Sequence, residues 1–226
     1  CGTRFMRGPR SQPRLFDVGL HYVGECREGE LIPELLRPVA VDVDWLPLDP
    51  DGFDILCFPD LTFAVPASLE LYRQRLLDVF PGERAGIDRW IRFLRQVDVA
   101  VCAAQPTDYD LTPSAIFKIL RHGSTMVWGR GRTLEQALDG ITKDPALRAV
   151  LASRNGNYAL PPSRVSAAFH AAVVNHYLAG AWYPRGGGQV VADRLADSVE
   201  AAGGSICLRR GISRIARRRA ITKFLD

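Results

Sequence analysis

Apolar and polar positions alternate through Leu15–Gly24. Phe16, Val18, Leu20 and Tyr22 fall on one face, and Asp17, Gly19, His21 and Val23 on the other. A period of two predicts a strand. Residues 25–60 are punctuated by Pro33, Pro38, Pro47, Pro50 and Pro59 and read as short strands and turns, with Val39–Val43 and Phe53–Phe58 as the strands. The period then lengthens. Leu69, Tyr72, Leu76 and Val79 predict a helix over Ala67–Phe80, stopped by Pro81-Gly82. Ile87, Trp90, Ile91, Leu94 and Val97 form the stripe of a second helix from about Glu83. Ser114–His122 reads as a third helix. Thr133 and Gln136 have the spacing of a capping box for a helix through Leu138, and a short helix covers Pro145–Ala152. Ser163–Ala179 is predicted helical, capped by Ser163 and ended by Gly180, with Val165, Phe169, Ala172, Val173 and His176 on one face. Ala181–Pro184 is extended, Gly186–Gly188 turns, and Gln189–Ala202 is helical, with Val191, Leu195 and Val199 in line. Ser205–Arg209 and Ile212–Ala216 read as strands. The pattern is mixed α/β, with strands at both ends and helices in the middle.

Composition narrows the class. The chain has 226 residues, 47% hydrophobic and 24% charged. That is enough apolar surface for a sizeable core, and it argues against intrinsic disorder. No apolar run approaches the roughly 20 residues of a spanning helix. The net charge of +4 is local. Between Cys207 and Asp226, seven Lys and Arg residues face a single acid, which leaves the remainder slightly acidic. Arg217–Arg219 therefore read as a solvated tail, and no nucleic-acid partner is expected. Cys1, Cys26, Cys57, Cys102 and Cys207 are widely spaced, without a CxxC pair. They suit reduced thiols in a cytosol-like compartment and form no metal site.

Two segments carry candidate chemistry. On the polar face of the first strand, Asp17, Gly19 and His21 suit a flat ligand approaching the backbone, or simply a half-exposed strand with a polar outer face. In Trp182-Tyr183-Pro184-Arg185-Gly186-Gly187-Gly188, three glycines precede a helix and two aromatics flank them. This is either an anion- or ring-binding turn or an ordinary helix entry. Gly129-Arg130-Gly131 lacks the third glycine of a dinucleotide fingerprint, and no G-x-G-x-x-G occurs. His170 and His176 are six apart, which is not the spacing of a helical metal pair; Asn175-His176-Tyr177 on an apolar helix reads as a satisfied core histidine or a catalytic one.

Together these segments resemble the flavoproteins that include phytoene desaturases, carotenoid isomerases and all-trans-retinol saturases. The match runs through Phe16–Gly24, Asn157-Tyr158-Ala159-Leu160-Pro161-Pro162-Ser163, Val173–Leu178 and Trp182–Gly187, over roughly residues 12–216. His21-Tyr22 and Asn175–Tyr177 resemble the saturase and isomerase branch. The resemblance implies a partial FAD/NAD(P)-binding fold joined to a mixed-sheet and helical substrate domain. Residues 1–37 would belong to the FAD domain, 38–179 to the substrate domain, and 180–226 to the return into the FAD domain. It implies FAD, with NAD(P)H as an electron donor, and a hydrophobic polyene or isoprenoid substrate that is saturated, desaturated or isomerised. Asp17, Gly19, His21, Tyr183, Gly186, Gly187 and Ile212 would contact the cofactor; His176, Tyr177 and Trp182 would face substrate. It also implies that the sequence starts just after the family's dinucleotide fingerprint and is a piece of a longer chain. Arg217-Arg218-Arg219 departs from the turn that follows this strand in the family. Ala115–His122 and Met126–Trp128 mix apolar and basic residues as peripheral membrane contact would, or as a packing helix would. The protein would be cytoplasmic or membrane-associated. The competing reading is a non-catalytic lipid-binding or degenerate flavoprotein module.

Overall fold

The structure, a computed structural model, describes residues 4–7, 14–19, 21–104 and 131–211. Strands β1 (Arg4–Arg7) and β2 (Arg14–Asp17) pair antiparallel, Phe5 opposite Phe16. Helix α1 (Leu31–Leu36) runs into a 3-10 turn, Arg37–Val39, before β3 (Trp45–Pro47). A hairpin follows, β4 (Asp54–Phe58) with β5 (Leu61–Val65). The helices are α2 (Leu69–Val79), α3 (Arg84–Ala104), α4 (Leu134–Asp139), α5 (Pro145–Leu151) and α6 (Ala167–Leu178). Strand β6 (Trp182–Pro184) returns to pair with β3, and α7 (Gln189–Ala201) closes the described chain. Among the described residues every sheet is a two-stranded antiparallel pair. Such pairs are marginal alone and depend on the helices they lie against.

The core is the α2–α3–α6 layer with β5, α4 and α5 around it. Ile87, Trp90, Leu94 and Val97 are fully buried along α3, as the 3.6-residue stripe predicts. Tyr72 and Leu76 of α2 and Leu147 and Leu151 of α5 join them. Both halves of the capping box form: Gln136 N–H donates to Thr133 Oγ1, and Thr133 N–H donates to Gln136 Oε1 at 3.0 Å.

Several expected boundaries move. The strand of Leu15–Gly24 stops at Asp17, and Phe16 and Val18 are 46% and 63% exposed rather than in the core. A strand must have a partner for each ladder bond, and among the described residues of this segment beyond Asp17 only one bridge, Val23 to Trp182, forms. Val39–Val43 is not a strand either. Ala40 adopts φ +53 at the end of the 3-10 turn and breaks the extension, although Val41 and Val43 are buried. Helix α6 begins three residues late. Val165 N–H bonds back to Pro161 O at 3.1 Å, holding 163–165 in a turn, so Ser166 rather than Ser163 is the cap. Its buried face is Ala167, Ala168, His170, Ala171, Val174 and Leu178, and Phe169 points out at 50% exposure. The helix is apolar nearly all round, so periodicity could not pick the inner face. Ser205–Arg209 is exposed turn, with Arg209 at φ +58, not strand. No residue of α7 is buried; Leu195 and Val199 stay half-exposed. Cys1, Leu20, Ser114–His122, Met126–Trp128, Ile212–Ala216 and Arg217–Arg219 lie outside the described residues.

Candidate functional site

The two glycine-bearing segments meet. Val23 N–H donates to Trp182 O at 2.8 Å, and Trp182 N–H returns a bond to Val23 O at 2.7 Å. The chain after β6 is fixed by Arg185, whose backbone N–H reaches Asp44 O at 2.9 Å and whose Nε reaches Asp44 Oδ2 at 2.5 Å. Gly186 and Gly187 then turn with φ of +94 and +93, which side chains resist. Asp17, at the end of β2, accepts Gly188 N–H at 3.1 Å. The expected partners Asp17, Gly186 and Gly187 thus form one corner. Gly19 and His21 are exposed beside it, His21 lying 4.4 Å from the ring of Tyr22. Tyr183 is half-buried, opposite Leu46. Trp182 is buried, with the Arg27 guanidinium 5.1 Å over its ring. Ile212 lies outside the described residues.

Inward from this corner lies a network that sequence reasoning missed. Tyr22 Oη donates to Asp54 Oδ2 at 2.9 Å, Arg154 Nη1 donates to the same oxygen at 2.6 Å, and Arg154 also donates to Tyr22 Oη. Arg154 is 5% exposed. Its guanidinium lies 5.2 Å from the Phe53 ring and 5.8 Å from Tyr177, an aromatic enclosure that suits a desolvated cation. Tyr22 and Tyr177 stack edge to face at 4.9 Å. Burial raises both phenols, so they stay protonated through neutral pH. Among the described residues Arg154 Nη2 has no hydrogen-bond partner, and Arg154 lines a pocket of about 10 Å³ with Phe53, Tyr72 and Leu151. Tyr177 is thereby a wall of this cation cage. Arg154 sits in a short polar turn, and its partner Asp54 is 100 residues away, so no local pattern marked the pair.

His176 stands on the other side of the bridge. Gly24 N–H donates to its Nε2 at 3.0 Å, and Glu25 Oε1 lies 3.3 Å from Nδ1. An acceptor at Nε2 leaves the proton at Nδ1, aimed at the carboxylate, so backbone and side chain together set the tautomer. A Cβ on Gly24 would fall 2.3 Å from His176 O, so only glycine fits this crossing. His176 is half-buried; the satisfied core histidine is His170, fully buried. His170 donates Nε2–H to Leu151 O at 2.8 Å, and its Nδ1 lies 2.5 Å from the Tyr158 hydroxyl, which also reaches Asn155 Oδ1 at 2.6 Å. Burial, opposed by that carbonyl bond, lowers His170 to about 4. Desolvation, Glu30 and Glu25 raise Cys26 to about 12, which leaves it a thiol and not a nucleophile. Among the described residues no group of His, Cys, Asp and Glu could hold a metal.

The corner offers no complete cradle for a dinucleotide among the described residues. Gly19, His21, Tyr183 and Gly186 leave a partly exposed surface of small, aromatic and hydrogen-bonding groups. At the N-terminus of α7 the N–H of the cap residue Gly188 is taken by Asp17 Oδ2 at 3.1 Å, so that N–H is not offered to a phosphate.

This is the architecture of a helical domain edged by two converging glycine segments, and comparison with known proteins gives it a class of relative. No family model matches the chain. It is 29% identical over 209 residues to an all-trans-retinol 13,14-reductase of Danio rerio and 27% identical over 211 residues to the Homo sapiens protein of that name. The Rattus norvegicus reductase is 29% identical over 208 residues. Each match takes in 88% of this chain and 34% of the relative, so the chain spans about a third of the length of the curated relatives it matches. The chain is therefore similar to one third of an oxidoreductase, in keeping with the resemblance carried by Phe16–Gly24 and Trp182–Gly187.

Proposed function

We propose that the chain is part of an FAD-dependent oxidoreductase that reduces a carbon–carbon double bond of a retinoid or related polyene alcohol. The observation that carries this reading is the convergence of Asp17–Val23 with Trp182–Gly188 in a chain similar to retinol 13,14-reductases along 88% of its length. FAD, when bound, would supply the electron-pair chemistry, with NAD(P)H as its reductant. The chain's own share is positional. Gly19, His21, Tyr183 and Gly186 would flank the ring, and the Val23–Trp182 bridge would hold the two flanks at a fixed spacing. Tyr22 and Tyr177, kept neutral and pinned by Arg154, would give a rigid apolar backing that excludes water.

Two measurements on the full protein test this. Its absorbance spectrum should show bound flavin. Incubation with all-trans-retinol and a reductant should give a product two hydrogens heavier, with a shortened chromophore, by chromatography and mass. A folded protein without flavin, or with flavin and no such product, refutes the reading. Binding of lipid without flavin would instead support a non-catalytic module.

A further inference from the structure

A groove of about 840 Å³ runs between α1, the C-terminal part of α3 and α6. Its volume is in the range of small-molecule sites, roughly 300–1,000 Å³. Leu31, Leu35, Pro38, Val101 and Ala172 make it apolar along its walls. Its polar groups are mostly acceptors. Glu25, Glu30, Glu34 and Asp98 line it, and among the described residues no Lys or Arg does. Arg27 and Arg37 pair with Glu30 and Glu34, at 3.7 and 2.5 Å, but from outside the lining and more than 60% exposed. Asn175 is oriented by its amide nitrogen, which donates to Leu94 O at 2.8 Å and leaves the amide oxygen as an acceptor on the groove. His176 closes the lining with its tautomer set by Gly24 and Glu25.

Among the described residues, a carboxylate entering this groove would meet four acidic side chains and few donors. A hydroxyl would find acceptors at once, and an apolar chain would find the wall. We propose that the groove binds the hydroxyl-bearing end of an elongated apolar alcohol, with Asn175 and Glu25 as its acceptors, and that the acidic lining excludes the matching carboxylate; the choice of an alcohol rests on the functional reading above. The inference adds a substrate site on the α1 side, joined to the corner through the Gly24–His176 crossing.

Equilibrium binding of hexadecanol, hexadecanoate and hexadecylamine to the full protein tests this, beside all-trans-retinol turnover. Two variants report on the groove. Leu35→Arg adds a cation at a position 61% exposed, where the fold tolerates it. Ala172→Phe narrows the channel, with circular dichroism as the check on folding. Hexadecanol should bind at least about tenfold more tightly than hexadecanoate. Ala172→Phe should weaken hexadecanol by about tenfold, and Leu35→Arg should tighten hexadecanoate by a similar factor. Hexadecanoate binding as well as hexadecanol, hexadecylamine binding far more tightly than either, or hexadecanol binding untouched by both variants overturns the assignment. Retinol turnover that neither variant affects supports the functional reading and overturns the groove. Hexadecanol binding as described without any retinol turnover supports the groove and refutes the reading.

Discussion

Replacing Asp54 tests whether the buried network beneath the corner is a single unit. Arg154 is 5% exposed, and its carboxylate partner Asp54 is 31% exposed at the side chain. Asp54→Ala removes the charge that receives both Arg154 Nη1, at 2.6 Å, and Tyr22 Oη, at 2.9 Å. The guanidinium would be left among Phe53, Tyr22 and Tyr177, and these rings offer far less than a carboxylate. Breaking a buried pair by removing one partner costs about 3–5 kcal/mol; Asp54 is partly solvated, so the lower end, about 3 kcal/mol, is expected. Arg154→Met removes the charge and refills the space. The double variant should then be less destabilised than the two single changes summed, by about 1.5 kcal/mol or more. Urea unfolding at neutral pH, followed by helical circular dichroism, gives all four corners of the cycle. Additivity within about 0.5 kcal/mol would refute the claim that these residues act together.

Two further outcomes follow from the same geometry. His170 is fully buried and lowered to about 4 from 6.5, so between those values the unfolded chain takes up a proton that the folded chain refuses. Stability should fall as pH drops from 6.5 towards 4, by about 3 kcal/mol in all, and urea midpoints across that range should lose this part of their slope in His170→Gln; an unchanged slope contradicts it. Gly24→Ala places a methyl 2.3 Å from His176 O, costing about 1–3 kcal/mol in a thermal melt. His176→Ala should give no rescue, because the nearest obstacle is backbone.

Helices with one wet and one dry face were legible. The α3 stripe from Ile87 to Val97 and the Thr133–Gln136 box are local signals, complete within a few turns, and the structure keeps them. Strands were not, because a strand is defined by its partner. Phe53–Phe58 found β5 and survived within a residue, whereas Val39–Val43, with equal β propensity, met a left-handed Ala40 and no neighbour. Phe16 and Val18 alternate well and still face solvent. For the site, the glycine and aromatic segments were visible because glycine marks backbone geometry. Asp54, Arg154 and Glu25 were not, because each gains its role from a residue 32 to 151 positions away, and nothing local announces that distance.

The glycine run at 186–188 shows how such a signal divides once packing is known. Three glycines before a helix suggest N–H groups held open for a phosphate. Here Gly188 N–H is spent on Asp17, and a Cβ on Gly187 would sit 3.3 Å from that carboxylate in a φ +93 conformation. Gly187 is thus explained by the approach of the chain's own Asp17. Gly186 is explained by its turn, with Val190 3.0 Å from its missing Cβ. Neither glycine requires a ligand, and the positive end of α7 is already balanced by an acid, an arrangement worth about 0.3–1 kcal/mol to the helix. A dinucleotide phosphate bound by this protein would therefore need a cradle made from other residues. On the proposed reading the ring would lie against Gly19, His21, Tyr183 and Gly186, and substitution of Gly19, His21 or Tyr183, which hold no turn, should perturb a bound flavin's spectrum without unfolding α7.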